Sequence, residues 1–254
     1  MKGHKDYKEV EFARKLIMDR YAEIQIGPFS ERNVIRLKRA YDYWLRGWLP
    51  VNRDIPVLDL GCGGGEFLSF LSDQGFKSLT GIDASAQQME RARINVPNAC
   101  LINGDVAEIA HSAPETFGLI TAFDLLEHLP KNDVLSLLTS IYKRLVNSGI
   151  LILSVPNCDS PFGPGVRYGD ITHETGFTGR SLTACLELVG FVNIEFRESA
   201  PVPHGLISAI RAGAWQLLRL LPILWNLVET GSIGSGLVSR NVFARAVRGA
   251  LSDV

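Results

Sequence analysis

Short apolar runs alternate with amphipathic helical patterns through most of the chain. The apolar runs predict strands at 55–60, 78–82, 100–103, 117–123, 150–155, 192–197 and 241–247. Between them, apolar residues at three- and four-residue spacing predict helices at 66–74, 86–95, 132–145 and 182–189. Continuous apolar strands separated by helices are typical of a parallel sheet covered on both faces. Ligands of such α/β sheets bind beyond the carboxyl ends of the strands.

Three regions depart from this alternation. Residues 9–48 have a helical pattern with an aromatic face, and we expect the N-terminal segment 1–50 to lie as a lid over the ligand cleft or to pack in the core. Residues 51–200 form the expected binding core, in which the Pro/Gly-rich stretch 156–180 is long enough to be a functional loop. Residues 201–254 add an apolar helical insertion and the last strand to the same domain.

Composition and charge narrow the possible functions. The 254 residues suffice for one α/β domain with additions, and the net charge of −1 lacks the basic excess of a nucleic-acid-binding protein. The four cysteines are scattered without a CxxC pair, so no disulfide framework or zinc motif is expected. The charged N-terminus does not resemble a signal peptide. We therefore expect a cytoplasmic protein, with membrane association left open.

A glycine-rich turn at the first strand is the most informative motif. Val57–Leu60 runs into Gly-Cys-Gly-Gly-Gly, and a helical pattern begins at Glu66. Glycines between a strand and a helix allow a ligand to lie against bare backbone. Glu66 stands where the dinucleotide fingerprint has its third glycine, which disfavours NAD, and no Lys-Ser or Lys-Thr follows to make a phosphate loop.

Acidic residues end the next three predicted strands. Asp83 stands about twenty residues after the glycine turn, where a carboxylate accepts hydrogen bonds from ribose hydroxyls. Asp105 could accept a hydrogen bond from an adenine amino group while Val106 packs on the ring. Asp124 would face the same cleft.

Taken together, these motifs resemble the class I S-adenosylmethionine-dependent methyltransferases. The resemblance implies a Rossmann-like, mostly parallel seven-stranded sheet whose last strand is antiparallel. It also implies that Asp59 and the turn hold the methionine part of the cofactor. The expected cofactor-binding residues are Asp59, Gly61, Cys62, Gly63, Asp83, Ala84, Gly104, Asp105, Val106, Asp124 and Leu125.

The acceptor is indicated by two further resemblances. Leu126-Glu-His-Leu129 looks like a motif of enzymes that methylate small molecules, quinones and sugars. Segments 155–157, 167–174 and 176–182 resemble methyltransferases of bacterial surface-polysaccharide pathways. The expected reaction is O-methylation of a saccharide or lipid-linked glycan, and the alternative acceptor is a quinone or other small molecule. Alternatives of other classes are an NAD-dependent or nucleotide-sugar oxidoreductase and a non-catalytic cofactor-binding protein.

A hydroxyl acceptor is a weak nucleophile and gains from a general base. The candidates are His128 and His173, and His173 is preferred because its loop should form the acceptor side. Asn157, Arg167 and Tyr168 are the expected acceptor contacts. No compact carboxylate and histidine cluster marks a metal site in the sequence, so none is expected.

The insertion 206–228 has three possible surroundings. Arg211, Arg219 and Pro222 interrupt it, which makes it a poor transmembrane span. It could pack within the molecule, form a homodimer contact, or lie on a membrane surface with its tryptophans at the interface.

Overall fold

The computed structural model describes residues 31–106 and 116–249. The strands are β1 (Val57–Leu60), β2 (Leu79–Asp83), β3 (Cys100–Asn103), β4 (Phe117–Phe123), β5 (Leu145–Pro156), β6 (Phe191–Glu198) and β7 (Asn241–Arg248). The helices are α1 (Glu31–Trp44), α2 (Glu66–Asp73), α3 (Ala86–Asn95), α4 (Lys131–Arg144), α5 (Gly163–Arg167), α6 (Gly179–Val189), α7 (Leu206–Leu218) and α8 (Leu220–Thr230). A single 3₁₀ turn, Leu126–His128, follows β4.

The strands form one seven-stranded sheet in the order β3-β2-β1-β4-β5-β7-β6. The five strands from β3 to β5 pair in parallel, and β7 runs antiparallel to both of its neighbours. This confirms the predicted Rossmann-like sheet. β5 begins five residues earlier than predicted, at Leu145, which pairs with Phe117 before the register shifts.

Side-chain alternation along the strands divides the core into two layers. Leu58 and Leu60 point to the layer that includes buried residues of α4 and α6. Val57 and Leu119 point to the other layer, which contains the aromatic side chains of α2. Both faces of the sheet are therefore covered, which explains why the central strands read as continuous apolar runs.

The N-terminal segment is built into the second layer. Tyr41 of α1 packs against Phe67 and Phe123 with ring centroids 5.0 and 5.8 Å apart. Leu45 and Trp48 are buried just after the helix ends. Residues 9–30 of the predicted helix lie outside the described residues, and the lid remains a prediction.

The insertion is helical as predicted, and the part of the body that the structure describes leaves most of it exposed. Ser208 is the buried residue of α7, and no described residue of α8 is buried. Arg219, where the two helices meet, donates to Glu198 at 2.8 Å and to the Gly236 carbonyl at 3.0 Å. Within residues 31–106 and 116–249, this apolar surface is left largely uncovered. By length and composition Leu206–Thr230 could cross a membrane, with a mean hydropathy of 1.2.

Two glycines with positive φ give a matched test of packing at the start of α2. Gly47 has φ +74° and Gly65 has φ +77°. A Cβ on Gly65 would lie 3.2 Å from the Ala92 backbone, whereas one on Gly47 would meet no described atom within 4 Å. We expect Gly47→Ala to lower the free energy of unfolding by about 1–2 kcal/mol through left-handed strain. Gly65→Ala should cost a further ~1–3 kcal/mol through overpacking. Urea unfolding measures both, and equal losses would contradict the close helix packing.

Candidate active site

The glycine turn joins β1 to α2 by passing through left-handed conformations. Gly61 and Gly63 have φ of +70° and +52°. The backbone N–H groups of Gly61 and Cys62 donate to the Ile82 carbonyl at 2.8 and 3.0 Å, which ties the turn to β2. A Cβ on Gly63 would meet only a Glu66 carboxylate oxygen, 4.0 Å away. Among the described residues, the backbone at Gly63 is therefore open to a ligand, whereas a Cβ on Gly64 would lie 2.7 Å from a Glu66 carboxylate oxygen.

Asp83, at the end of β2, faces this turn. Its Oδ2 accepts from the Gly63 N–H at 2.9 Å and its Oδ1 from the Ser85 N–H at 2.8 Å. Burial nevertheless raises the pKa of Asp83 above its ordinary value. Ser85 caps α3 by accepting from the Gln88 N–H at 3.3 Å, so Asp83 is not needed as a cap. Each carboxylate oxygen keeps capacity for a ribose hydroxyl.

Asp59 lies at the floor of the cleft. Its register partner on β4 is Thr121, whose hydroxyl donates to Asp59 Oδ1 at 2.6 Å. The carboxylate is buried, and burial raises its pKa to about 7 despite this hydrogen bond. Asp59 is thus poised to accept a positively charged ligand group.

The edge of the cleft beyond β3 is built on hydrogen bonds to the end of β2. Asn103 Nδ2 donates to the carbonyls of Asp83 and Ala84 at 2.9 and 3.1 Å, and the Gly104 N–H donates to the Asp83 carbonyl at 3.1 Å. Asp105 is exposed and Val106 is buried. Both are placed at the edge where the adenine contacts were predicted.

Cys62 belongs to the core rather than to the ligand cleft. Its thiol lies 4.0 Å from the Met89 sulfur, and burial raises the pKa of the thiol. Its predicted cofactor contact is therefore available through the backbone, whereas the side chain packs under the turn.

Asp124 adopts a left-handed conformation, with φ +48°. Its Oδ1 accepts from Ser154 Oγ at 2.9 Å and from Asn241 Nδ2 at 3.1 Å. Residues of β5 and β7 thus help to position the Asp124 side chain at the end of β4. A left-handed conformation in a residue other than glycine is strained, and such strain is common at functional sites. Leu125 forms the adjacent wall, because a Cβ on Gly61 would lie 3.3 Å from its Cδ1. Neither Ser154 nor Asn241 was singled out from the sequence, although a serine in an apolar strand is a usable signal.

Backbone hydrogen bonds join the 3₁₀ turn to the loop 156–180. The Glu127 carbonyl accepts from the N–H groups of Glu174 and Thr175 at 2.7 and 3.0 Å. The Thr175 hydroxyl donates to the Leu129 carbonyl at 2.7 Å. These bonds bring His173 beside His128, with ring centroids 5.0 Å apart. The two predicted catalytic histidines therefore lie together.

Glu127 completes this group, and sequence reasoning missed it. One ligand atom each from Glu127, His128 and His173 lies within 4.8 Å of the others. The Glu127 carboxyl is buried, which raises its pKa well above the ordinary value, and Asp124 adds to this effect. The sequence did not indicate this compact group, because the fold of the loop brings His173 to the adjacent residues Glu127 and His128. We call these three residues the Glu-His-His cluster.

Two of the three predicted acceptor contacts hold the loop together. Asn157 is buried; its Nδ2 donates to the Leu237 and Ser239 carbonyls and its Oδ1 accepts from the Asp159 N–H. The Arg167 guanidinium donates to the carbonyls of His173 and Glu174. These bonds make Asn157 and Arg167 anchors of the loop. The sequence predicted instead that both side chains contact the acceptor.

Tyr168, the third predicted contact, is 78% exposed beside the Arg167 guanidinium. Its ring is therefore accessible to an acceptor.

Asp59 gives a pH-dependent stability prediction. Its folded pKa of about 7 lies above the ordinary value of 3.8, so its carboxylate costs stability as the pH rises through 7 and costs nothing below about 4. We expect Asp59→Asn to raise the free energy of unfolding at pH 8 by up to about 4 kcal/mol, with the gain vanishing near pH 4. Urea unfolding across this range measures it. The exposed carboxylate change Asp42→Asn is the control, and a pH-independent effect of Asp59→Asn would contradict the buried-charge explanation.

Comparison with known proteins agrees with this geometry. A methyltransferase-domain family matches residues 34–195. A ubiquinone biosynthesis O-methyltransferase of Neisseria meningitidis is 29% identical over 106 residues, covering 40% of this chain and 44% of that protein. The chain therefore spans less than half the length of this curated relative.

Solved structures share the fold. A SAM-dependent methyltransferase of Archaeoglobus fulgidus has a TM-score of 0.62 at 20% identity, covering 89% of this chain and 97% of that one. DhpI in complex with SAH has a TM-score of 0.57 at 14% identity, covering 93% and 94%. The chain belongs to the methyltransferase-domain family.

Proposed function

We propose that the protein is an S-adenosylmethionine-dependent methyltransferase that methylates a hydroxyl oxygen of a saccharide or lipid-linked glycan. The observation that carries this proposal is the Glu-His-His cluster at the Asp124 end of the cofactor cleft. His173 lies close enough to Asp124 for the two charges to interact. A proton acceptor beside the methyl-donor cleft suits a hydroxyl, which must lose its proton during transfer.

The residues of the cleft fit S-adenosylmethionine. In this proposal Asp59 accepts the methionine ammonium and the Asp83 carboxylate accepts the ribose hydroxyls, and the open backbone at Gly63 supports close approach of the cofactor. When bound, the sulfonium supplies an activated methyl group and a good leaving group. The protein then contributes mainly alignment of the acceptor oxygen, together with removal of its proton.

The loop 156–180 supports a polar acceptor. Tyr168 offers an exposed aromatic face on which a sugar ring can pack, and Asp170 and His173 offer hydrogen-bonding groups nearby. A quinone is the second candidate, because the relative from Neisseria meningitidis is named for ubiquinone biosynthesis. The two candidates differ in the surface they need, since a quinone ring favours an apolar pocket.

Transfer of labelled methyl groups tests the proposal. With S-adenosylmethionine as donor, we expect product with nucleotide-sugar or lipid-linked saccharide acceptors and less with hydroxylated quinones. Product with quinones alone would overturn the saccharide assignment.

His173 should be essential for this transfer. We expect His173→Ala to lower kcat by about 100- to 10 000-fold, as for the loss of a proton-accepting group. Its affinity for S-adenosylmethionine, measured by calorimetry, should change little. His204→Ala, at an exposed histidine outside the cluster, is the matched control. Near-wild-type turnover of His173→Ala would contradict the assignment.

We further propose that the enzyme is cytoplasmic and contacts a membrane surface through α7 and α8. Apolar side chains such as Leu221 and Trp225 are 63% and 73% exposed there. Arg219, at the junction, is paired with Glu198 of the body, so a spanning arrangement would break this pair and place Arg219 in hydrocarbon. A surface position keeps the pair and brings the enzyme to a lipid-borne acceptor.

Vesicle co-sedimentation tests this contact. Full burial of a large apolar side chain is worth about 1.5–3 kcal/mol, so Leu221→Ser with Trp225→Ser should lower partition into anionic vesicles at least about tenfold. Ile94→Ser with Leu188→Ser removes similarly exposed side chains elsewhere and should change nothing. Equal partition of all three proteins would contradict membrane contact. Loss of a dimer in the first variant, without vesicle binding by wild type, would indicate a homodimer surface instead.

A further inference from the structure

The Glu127 carboxylate is buried without the partners that such a group needs. The residue is 1% exposed, and its two oxygens receive no hydrogen bond from any other residue that the structure describes. Asp124 and Asp170 add negative potential around it. Burying a carboxylate is costly unless it is paired or bound to a metal. The surroundings of Glu127 therefore favour a positive occupant.

Hydrogen bonds on the far side of each imidazole fix which nitrogen faces the carboxylate. The Thr172 hydroxyl donates to Asp170 Oδ1 at 2.6 Å, so at 2.8 Å it accepts from the Nδ1–H of His128. His173 Nδ1 donates to the Val166 carbonyl at 3.2 Å. In their neutral forms both rings then carry a lone pair on Nε2. With Glu127 ionised, two nitrogen lone pairs and a carboxylate converge as acceptors, and one cation between them would bind all three.

We propose that Glu127, His128 and His173 bind a divalent cation. Their ligand atoms lie within 4.8 Å of one another, close to the separation that one shared ion requires. Two imidazoles and one carboxylate suit Mn²⁺, Fe²⁺, Co²⁺ or Zn²⁺ better than Mg²⁺ or Ca²⁺, which prefer oxygen ligands.

The residues behind the ligands are those expected of a metal site. Metal-bound histidines usually donate their other N–H to a carbonyl or to a group linked to a carboxylate. The Val166 carbonyl serves His173 in this way, and the Thr172–Asp170 pair serves His128. These partners orient the rings and fix the tautomer that coordinates.

Three protein ligands leave positions on the cation open for an acceptor hydroxyl. A bound cation lowers the pKa of such a hydroxyl and so promotes its loss of a proton. With the cation bound, His173 acts as a ligand in place of its role as proton acceptor: the cation activates the hydroxyl, the proton passes to solvent water, and His173→Ala loses activity because the cation is lost. This catalytic role rests on the proposed O-methylation, whereas binding of the cation does not.

Mn²⁺ titration of the full chain, stripped with a chelator and without cofactor or acceptor, tests the site. We expect one equivalent to bind in calorimetry and to give an immobilised Mn²⁺ signal in electron paramagnetic resonance. Glu127→Gln keeps the side-chain volume and should weaken binding at least about 100-fold; Thr172→Val should weaken it about 10- to 100-fold by releasing the His128 ring. His204→Ala should bind as wild type.

Thermal unfolding gives a second measurement that separates loss of the ligand from loss of the fold. Mn²⁺ should raise the Tm of the wild type and of His204→Ala, and should leave that of Glu127→Gln unchanged. Substoichiometric binding by the wild type, or equal binding by Glu127→Gln, would overturn the cation site. Failure of methyl transfer to every saccharide would overturn the proposed function and leave the binding result intact.

Discussion

The parallel pairing of β1 with both β2 and β4 is the constraint on which the site depends. It places the carboxyl ends of these strands at one edge, so Asp59, Asp83 and Asp124 converge although they are far apart in the chain. The glycine turn leads from β1 into α2, and hydrogen bonds from its Gly61 and Cys62 N–H groups to the Ile82 carbonyl hold it against β2. Cofactor binding in this enzyme follows from sheet geometry and from bare backbone at a single turn.

Several carboxylates of the site are held at a cost to stability. Asp59 and Glu127 are buried, and burial raises the pKa of each because little nearby charge compensates them. A protein selected only for stability would place apolar residues at such positions. Their presence is understandable if each awaits a positive partner: the ammonium of the cofactor for Asp59, and a divalent cation for Glu127.

The loop 156–180 adds His173, a candidate catalytic residue, to the candidate cofactor site. Its backbone bonds to the Glu127 carbonyl set His173 beside His128, and Arg167 holds the loop in that shape. The same loop presents Tyr168 to solvent. Under the proposed function, acceptor choice and acceptor activation lie in one segment, while the described residues leave a separate apolar surface exposed on α7 and α8.

The sequence alone determined the features that depend on near neighbours. Strand and helix positions, the glycine turn and the acidic strand ends follow from periodicity and backbone freedom, and the structure has them within a few residues of the prediction. Tertiary structure decided the rest. Glu127 became part of a cluster because hydrogen bonds between distant backbone segments bring His173 to it. Asn157 became an anchor because the segment before β7 surrounds its amide. The exposure of α7 and α8 could not be predicted from the sequence either, since an apolar helical pattern is the same whether it faces a core, a partner or a membrane.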